Sequence, residues 1–255
     1  MLSWIRSFLC KRVQCVNVDG AKSEWKKVVS GIPQGSVIGP LLIVIFINDM
    51  PESVKYNICK LFSDDCKLYG TVNKSSENLK TFWLVDPIDG THDYINDKDE
   101  FTINAGLIIN NKPEIGIIYA PAKRRLFYGY HEGKCFELIN NKENKLNCNK
   151  LSKQGTIKAV SYSNKLIPII DDWHKKFKVT EHVKMKSSLK FCVIATGEYD
   201  LYVAEPRARE WDIAAGHAIV KNAGGLITDF ENNEILYGKK QFKNPSLILK
   251  RSSLL

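Results

Sequence analysis

The chain reads as an α/β protein in two unlike parts, a short N-terminal segment followed by a larger layered domain. Three observations predict this. Short apolar runs with period-two alternation recur through the second part, and a later segment has helical spacing with a glycine stop. The character of the chain also changes across the polar stretch Asn73-Lys-Ser-Ser-Glu-Asn-Leu-Lys80, with no repeat at a fixed period on either side. The expected domains are therefore residues 1–80 and 81–255.

The elements follow in order. Residues 14–18 look extended and are closed by an Asp19-Gly20 turn, after which 26–29 pairs back as a hairpin. Ser30-Gly-Ile-Pro-Gln-Gly-Ser-Val-Ile-Gly-Pro40 is a loop that leads into an apolar run ending at Asn48-Asp49. Lys60-Leu-Phe-Ser-Asp-Asp-Cys-Lys-Leu-Tyr69 places two adjacent acids between apolar stretches, as a hairpin tip would. Phe82-Trp-Leu-Val85 is a short buried strand, and 101–109 with 113–119 alternates as a hairpin around Asn110-Asn-Lys, followed by a strand over 125–130. Glu210-Trp-Asp-Ile-Ala-Ala-Gly-His-Ala-Ile-Val-Lys-Asn-Ala-Gly-Gly225 reads as a helix with Asp212 in its first turn.

Composition narrows the function classes. A chain of 255 residues with 44% hydrophobic and 25% charged residues is ordinary globular material, which excludes a largely disordered protein. The net charge of +9 is spread along the chain, so it favours phosphate-bearing partners without marking a nucleic-acid patch. Seven cysteines form no Cys-x-x-Cys pair and are odd in number, which argues against a disulfide framework or a zinc site and suits a reduced, cytoplasmic setting. Met1-Leu-Ser-Trp-Ile-Arg-Ser-Phe-Leu-Cys10 has charge among its apolar residues and lacks a small-residue cleavage site, so it does not read as a signal peptide. The apolar stretch 37–47 contains a Gly-Pro and falls short of the ~20 residues a membrane span requires. A membrane partner is not expected.

Chemistry concentrates in Asp86-Pro-Ile-Asp89-Gly-Thr91. The strand delivers Asp86 to its C-terminal end, Pro87 keeps Asp86 extended, and Asp89 follows across a turn that Gly90 permits. Two carboxylates and the Ile88 carbonyl can then converge on one point, and hard oxygen ligands at that density suit Mg²⁺. The N–H groups of Gly90 and Thr91 would open the next element as a phosphate cradle. Asp212, in the first turn of its helix, would supply a third acid.

Two resemblances complete this reading. The Gly-Ile-Pro-Gln-Gly-Ser loop with the following Ile-Asn-Asp, and Phe62-Ser-Asp-Asp65, are similar to the template-grip and catalytic motifs of non-LTR retroelement reverse transcriptases, over about residues 4–80. That resemblance implies a partial palm fragment. Polymerase activity is not expected, since nucleotidyl transfer clamps its oxygens between two metals and the third upstream aspartate is missing.

From about residue 81 to 250 the chain resembles the inositol monophosphatase superfamily, in its 3'(2'),5'-bisphosphate nucleotidase branch of the CysQ type. The motifs that carry it are Phe82-Trp-Leu-Val-Asp-Pro-Ile-Asp-Gly-Thr91, Glu100-Phe-Thr-Ile-Asn-Ala, Gly116-Ile-Ile-Tyr-Ala-Pro121, Ser187-Ser-Leu-Lys-Phe-Cys192, Trp211-Asp-Ile-Ala-Ala-Gly216 and Asn244-Pro-Ser. The resemblance implies a layered sugar-phosphatase α/β fold lacking its N-terminal part, and a magnesium-dependent hydrolase of 3'-phosphoadenosine 5'-phosphate, a related nucleotide or a sugar phosphate. It implies that Asp86 bridges two ions, that the Ile88 carbonyl completes one, and that Asp89 and Asp212 complete the other. Thr91 would hold the attacking water, Gly90 and Thr91 would bind phosphate, and Ser187, Ser188 and Lys190 would contact the nucleotide.

The chain also departs from the family. The glycine before Ser-Ser-Leu-Lys is Lys186, Ser161-Tyr-Ser-Asn164 replaces a segment carrying an arginine and a histidine, and Val203-Ala-Glu-Pro-Arg207 displaces an anion-binding arginine, with Arg207 or Arg209 as substitutes. The family's Glu-Glu pair, which supplies a ligand and activates water, is replaced by the retroelement-like segment, and the loss of the N-terminal helices would uncover an apolar face. As a hypothesis, Asp64 or Asp65, which end a strand at a similar separation from Asp86, stand in for the lost ligand; unchanged magnesium-dependent turnover after both become Asn would sink it. Three readings follow: an active phosphomonoesterase, a catalytically dead relative that retains metal or phosphate binding, and a nucleic-acid-binding retroelement remnant, which the scattered positive charge does not favour.

Overall fold

A computed structural model describes residues 13–14, 17–18, 21–24, 26–27, 57–62, 65–70, 81–148 and 156–252. The chain divides into two compact units, 1–50 and 51–255. In the first, β1 (Val13–Gln14) pairs antiparallel with β4 (Lys26–Lys27), and β2 (Asn17–Val18) with β3 (Ala21–Lys22). These pairs match the expected hairpin. The glycine- and proline-rich loop at 30–40, the apolar run to Asp49 and Asp64 lie outside the described residues.

The second unit begins with an antiparallel meander whose eight strands lie side by side in chain order. They are β5 (Asn57–Phe62), β6 (Asp65–Gly70), β7 (Thr81–Asp89), β8 (Thr102–Ile109), β9 (Lys112–Ala120), β10 (Arg125–His131), β11 (Lys134–Ile139) and β12 (Lys142–Lys145). The junction expected at residue 80 falls between β6 and β7, which are hydrogen-bonded neighbours in this sheet. The hairpin expected around Asn110 is β8–β9, and Asn110 and Asn111 take φ of 49° and 65°. Both centre positions of this tight turn are left-handed, a conformation asparagine tolerates better than other side chains. A short helix, α1 (Thr91–Ile95), lies between β7 and β8.

A second, mixed sheet runs in the order β14 (Val179–Lys184), β13 (Ile157–Ser161), β15 (Leu201–Ala204), β17 (Leu247–Lys250), β16 (Leu226–Thr228), with β13 parallel to both β14 and β15. Its alternation sorts side chains to two faces. Val160, Tyr202, Ala204 and Leu249 join the main core, whereas Ala159, Leu201, Val203 and Ile248 join a smaller one with Ile170 of α2 (Pro168–Lys176) and the partly buried Trp173. Buried on both faces, these strands read as continuous apolar runs. Between the sheets lie α3 (Leu189–Ala195) and α4 (Glu210–Asn222), which completes the layered α/β architecture that the sequence predicts.

Helix α4 follows the sequence expectation, with Asp212 in its first turn and Gly224 at φ 95° just past its end. Its small residues Ala214, Ala215 and Ala218 rest on β8 and β9. A Cβ on Gly116 of β9 would stand 2.1 Å from the carbonyl oxygen of Ala215, so only glycine admits the helix this close. Core side chains such as Leu84, Ile118, Phe127 and Ile219 are fully buried in this layer, at about 1.5–3 kcal/mol each relative to exposure. Ile103, Ile117 and Tyr119 point to the other face of the large sheet and are exposed.

Candidate active site

The end of β7 builds the first half of the site. Phe82, Leu84 and Asp86 alternate onto the buried face, so the same register that fills the core carries the Asp86 carboxylate inward, where it is 5% exposed. Its Oδ1 accepts the Ile88 N–H at 3.0 Å, a local turn that the register shift between Asp86 and Asp89 accompanies. Gly90 then takes φ 89°, and a Cβ there would stand 2.8 Å from the Glu100 carbonyl oxygen, so the turn requires glycine. The Thr91 hydroxyl donates to the Ile88 carbonyl at 3.0 Å.

Asp89 is held from across the fold. Its Oδ2 accepts the Ser188 N–H, and the Ser188 hydroxyl lies 2.6 Å from Thr102 Oγ1 and 2.7 Å from Asn104 Oδ1. Thr102 and Asn104 of the Glu-Phe-Thr-Ile-Asn motif, both on β8, therefore fix Ser188, which fixes Asp89. All three supporting residues are buried, and this outer layer of hydrogen bonds orients a carboxylate more firmly than a loop would.

Asp212 arrives on the first turn of α4. Its Oδ2 accepts the Arg209 N–H at 2.6 Å in a capping arrangement. Burial pushes the Asp212 carboxyl up to about 6; the Arg209 N–H opposes this, while the Asp89 charge adds to it. Two carboxylates that repel each other across a covered space are what a cation relieves. Lys190 feels both, yet burial outweighs their charge and holds its ammonium below the ordinary lysine range.

Asp89, Gly90, Thr91, Lys190 and Asp212 line one cavity of about 410 Å³. Among the other expected residues, Asp86, Ile88 and Ser188 are not on its wall, and Ser188 is wholly covered. Lys190 is buried, not a solvated surface lysine, and donates to the carbonyls of Lys186 and Ser187 at 2.8 Å each. Asp93 is a wall residue that the sequence reading passes over. Its side chain is 3% exposed and faces His92, Lys98 and Lys186 at 3.3, 3.7 and 3.4 Å. Burial works against ionisation of Asp93, but hydrogen bonds from His92 and Lys186 and the lysine charges hold its carboxyl below 3.8. Its signal in the sequence is a lone acid after Gly-Thr-His, which also reads as a helix first-turn residue.

The donor set fits a hard divalent cation in kind: carboxylates and a carbonyl. Among the described residues no three acidic, histidine or cysteine side chains close into one cluster. The backbone adds one further placement. Cys66 of β6 pairs with Val85 of β7, so the pairing of the two strands ends one residue from Asp65 and from Asp86.

The model of the inositol monophosphatase family matches residues 55–252. The chain belongs to the inositol monophosphatase family. Within it, the chain is 31% identical over 202 residues to the 3'(2'),5'-bisphosphate nucleotidase CysQ of Buchnera aphidicola, covering 79% of this chain and 68% of that protein. It is 33% identical over 181 residues to the enzyme of the same name from Salmonella typhimurium, covering 66% and 68%. Among solved structures, CysQ from Bacteroides thetaiotaomicron superposes with a TM-score of 0.60 at 26% identity over 71% of this chain and 76% of that one. A Pyrococcus horikoshii protein with similarities to inositol-1 monophosphatase gives 0.64 over 88% and 84% at 19% identity, which shows the inositol monophosphatase fold alone. The family match takes in β5 and β6 as well as the motifs from Asp86 onward. No helix among the described residues is long and apolar enough to cross a membrane.

Proposed function

We propose that this chain is a Mg²⁺-dependent phosphomonoester hydrolase that removes the 3'-phosphate from 3'-phosphoadenosine 5'-phosphate. The observation that carries the reading is the convergence of Asp89 and Asp212, from motifs at opposite ends of the domain, on one cavity that Gly90, Thr91 and three cationic side chains also line. The CysQ relatives at 31% and 33% identity support the nucleotide over a sugar phosphate.

Asp86, the Ile88 carbonyl, Asp89 and Asp212 are the residues that would hold the metal. Bound there, Mg²⁺ supplies a lowered pKa for water and neutralises charge on the leaving oxygen. The Thr91 hydroxyl gives its proton to Ile88, so its oxygen remains an acceptor for a proton of the attacking water. Gly90 and Thr91 offer N–H groups to the phosphate, and Ser188 keeps Asp89 in place. The pairing of Cys66 with Val85, next to Asp65 and Asp86, supports the reading in which Asp64 or Asp65 replaces the lost glutamate pair.

A second reading, a chain that binds metal or phosphate without turnover, is favoured by the lack of a third clustered acid among the described residues. Residues 1–80 are read as the reverse-transcriptase-like fragment, without polymerase chemistry, although the family match begins at residue 55. The free, buried Cys135, Cys148 and Cys192 support a reduced, cytoplasmic setting. Phosphate release from 3'-phosphoadenosine 5'-phosphate, measured with Mg²⁺ and with EDTA, separates the readings. Metal-dependent release supports the first; binding of Mg²⁺ by calorimetry without release supports the second.

A further inference from the structure

On the hydrolase reading the attacking water must give up a proton, and a positioned base speeds that transfer. Most titratable side chains on the described wall of the cavity are unsuited to the role. Lys190 is held by two backbone carbonyls, Lys186 faces Asp93, and burial pushes the Tyr202 phenol further above its ordinary range. Arg207 is a permanent cation, and Asp89 with Asp212 is the carboxylate pair proposed for the metal. His92, on the same wall, is different.

His92 follows Thr91 on α1, and both residues line the cavity. Its Nδ1 lies 3.3 Å from Asp93 Oδ1. The Asp93 carboxyl, held below 3.8 in spite of its burial, is ionised near neutral pH and can only accept hydrogen bonds. Nδ1 therefore carries the proton of this pair, and in the neutral ring Nε2 is left with the lone pair. Lys98, in the loop after α1, and Lys186, ahead of α3, reach the same Asp93 oxygen at 3.7 and 3.4 Å. Asp93 is thus anchored from three sides, whereas the His92 side chain is 73% exposed and open to a ligand. A fixed carboxylate behind an imidazole sets its tautomer and its ring plane, the arrangement in which histidine serves hydrolases as a base.

We propose that His92 is the general base of this site and that Asp93 is its positioning residue. The attacking water donates one hydrogen bond to Thr91 Oγ1, whose own proton is given to the Ile88 carbonyl, and the other to His92 Nε2. As the water oxygen bonds to phosphorus, the bond from phosphorus to the ester oxygen breaks and its electron pair leaves with that oxygen. His92 takes the proton of the water, and the departing oxygen is protonated from solvent. The imidazolium then returns its proton to solvent, so ester and water become alcohol and inorganic phosphate. The inference rests on the phosphomonoesterase reading above and names the base that it lacks. It also gives a role to the buried Asp93 and to Lys186, which steadies it.

The test is steady-state hydrolysis of adenosine 3',5'-bisphosphate by the full chain in Mg²⁺, for the wild type, His92→Gln and His92→Ala. General-base catalysis contributes about 10²- to 10⁴-fold, so both variants should lose kcat on that scale with little change in KM. The acid limb of the wild-type pH profile of kcat/KM, which reports the base, should flatten in both. Removing an exposed ring leaves space that solvent reaches, so added imidazole should restore part of the His92→Ala rate, which a merely structural role would not allow. Long-range proton–nitrogen NMR of the metal-free chain, with His92→Gln to assign the signal, should show a wild-type ring protonated at Nδ1. An unchanged kcat in His92→Gln, a His92→Ala loss that imidazole does not rescue, or a wild-type ring protonated at Nε2 overturns the inference while leaving the hydrolase reading standing. A wild type that releases no phosphate overturns both.

Discussion

Replacing Gly116 by alanine tests whether the seat of α4 sets the proposed metal site. The added Cβ would stand 2.1 Å from the Ala215 carbonyl oxygen, roughly 1 Å or more inside ordinary contact. That oxygen belongs to the helix backbone, so no rotamer change relieves the clash, and α4 must lift from β9. Overpacking of this kind costs about 1–3 kcal/mol. For a domain of this size that lowers the melting temperature by about 2–4 °C per kcal/mol. Asp212 lies one turn ahead of Ala215 on the same helix, and a displacement of about 1 Å at a reacting group costs on the order of 100-fold in rate. Gly116→Ala should therefore lower the melting temperature, weaken Mg²⁺ binding in calorimetry, and reduce phosphate release beyond what the folded fraction explains. An unchanged melting temperature refutes the close-packing argument. A lowered melting temperature with wild-type Mg²⁺ affinity refutes the link from the glycine to Asp212.

Three further predictions concern charge. Asp212→Asn should stabilise the metal-free protein in EDTA at pH 8, because the carboxyl is raised to about 6 and its ionised form is the costly one; the advantage should fade as pH falls through 6 toward 3.8, and Mg²⁺ should raise the melting temperature of the wild type but not of the variant. Asp93 has the opposite sign: its carboxyl is held below 3.8, so its contribution is complete above pH 3.8 and is lost as pH falls further. The urea midpoint of Asp93→Asn should thus lie below wild type at pH 7 and approach it in acid. Arg251→Met should cost about 3 kcal/mol in urea unfolding, since Arg251 Nε meets Asp200 Oδ1 at 2.7 Å with both side chains buried, and the change leaves Asp200 without its cation.

Much of the domain is legible because its signals are local. Asn110-Asn-Lys announces the β8–β9 turn, and the small residues and terminal glycines of 210–225 announce α4. The domain edge is less legible. The polar stretch at 73–80 reads as a linker, yet β6 and β7 on either side of it are neighbours in one sheet, and strand pairing is a non-local property that composition does not carry. At the site, Asp86, Asp89 and Asp212 stand out by motif. Ser188 reads as a substrate contact, but its N–H is spent on Asp89 and its hydroxyl on Thr102 and Asn104, a role visible only once β8 and α3 are placed together. Lys190 is similar, since an exposed and a buried lysine look alike in a polar string.

The two halves of the site differ in how they are held, and this bears on which substitutions the chain tolerates. Asp89 depends on a chain of buried hydrogen bonds from β8 through Ser188, so loss of Asn104 or Thr102 propagates to a carboxylate neither of them touches. Asp212 depends on the Arg209 N–H and on the seat of α4 against Gly116, so it responds to packing instead. Each carboxylate is held through one oxygen, Oδ2, by a backbone N–H that cannot rotate away. On the proposed reading, that leaves Oδ1 of each for the cation, with the geometry set before it arrives. On the proposed metal-binding reading, pre-organisation of this kind would offset the cost of a buried aspartate raised to about 6: without a metal the arrangement is a strain on the core, and with one it would become a ligand pair.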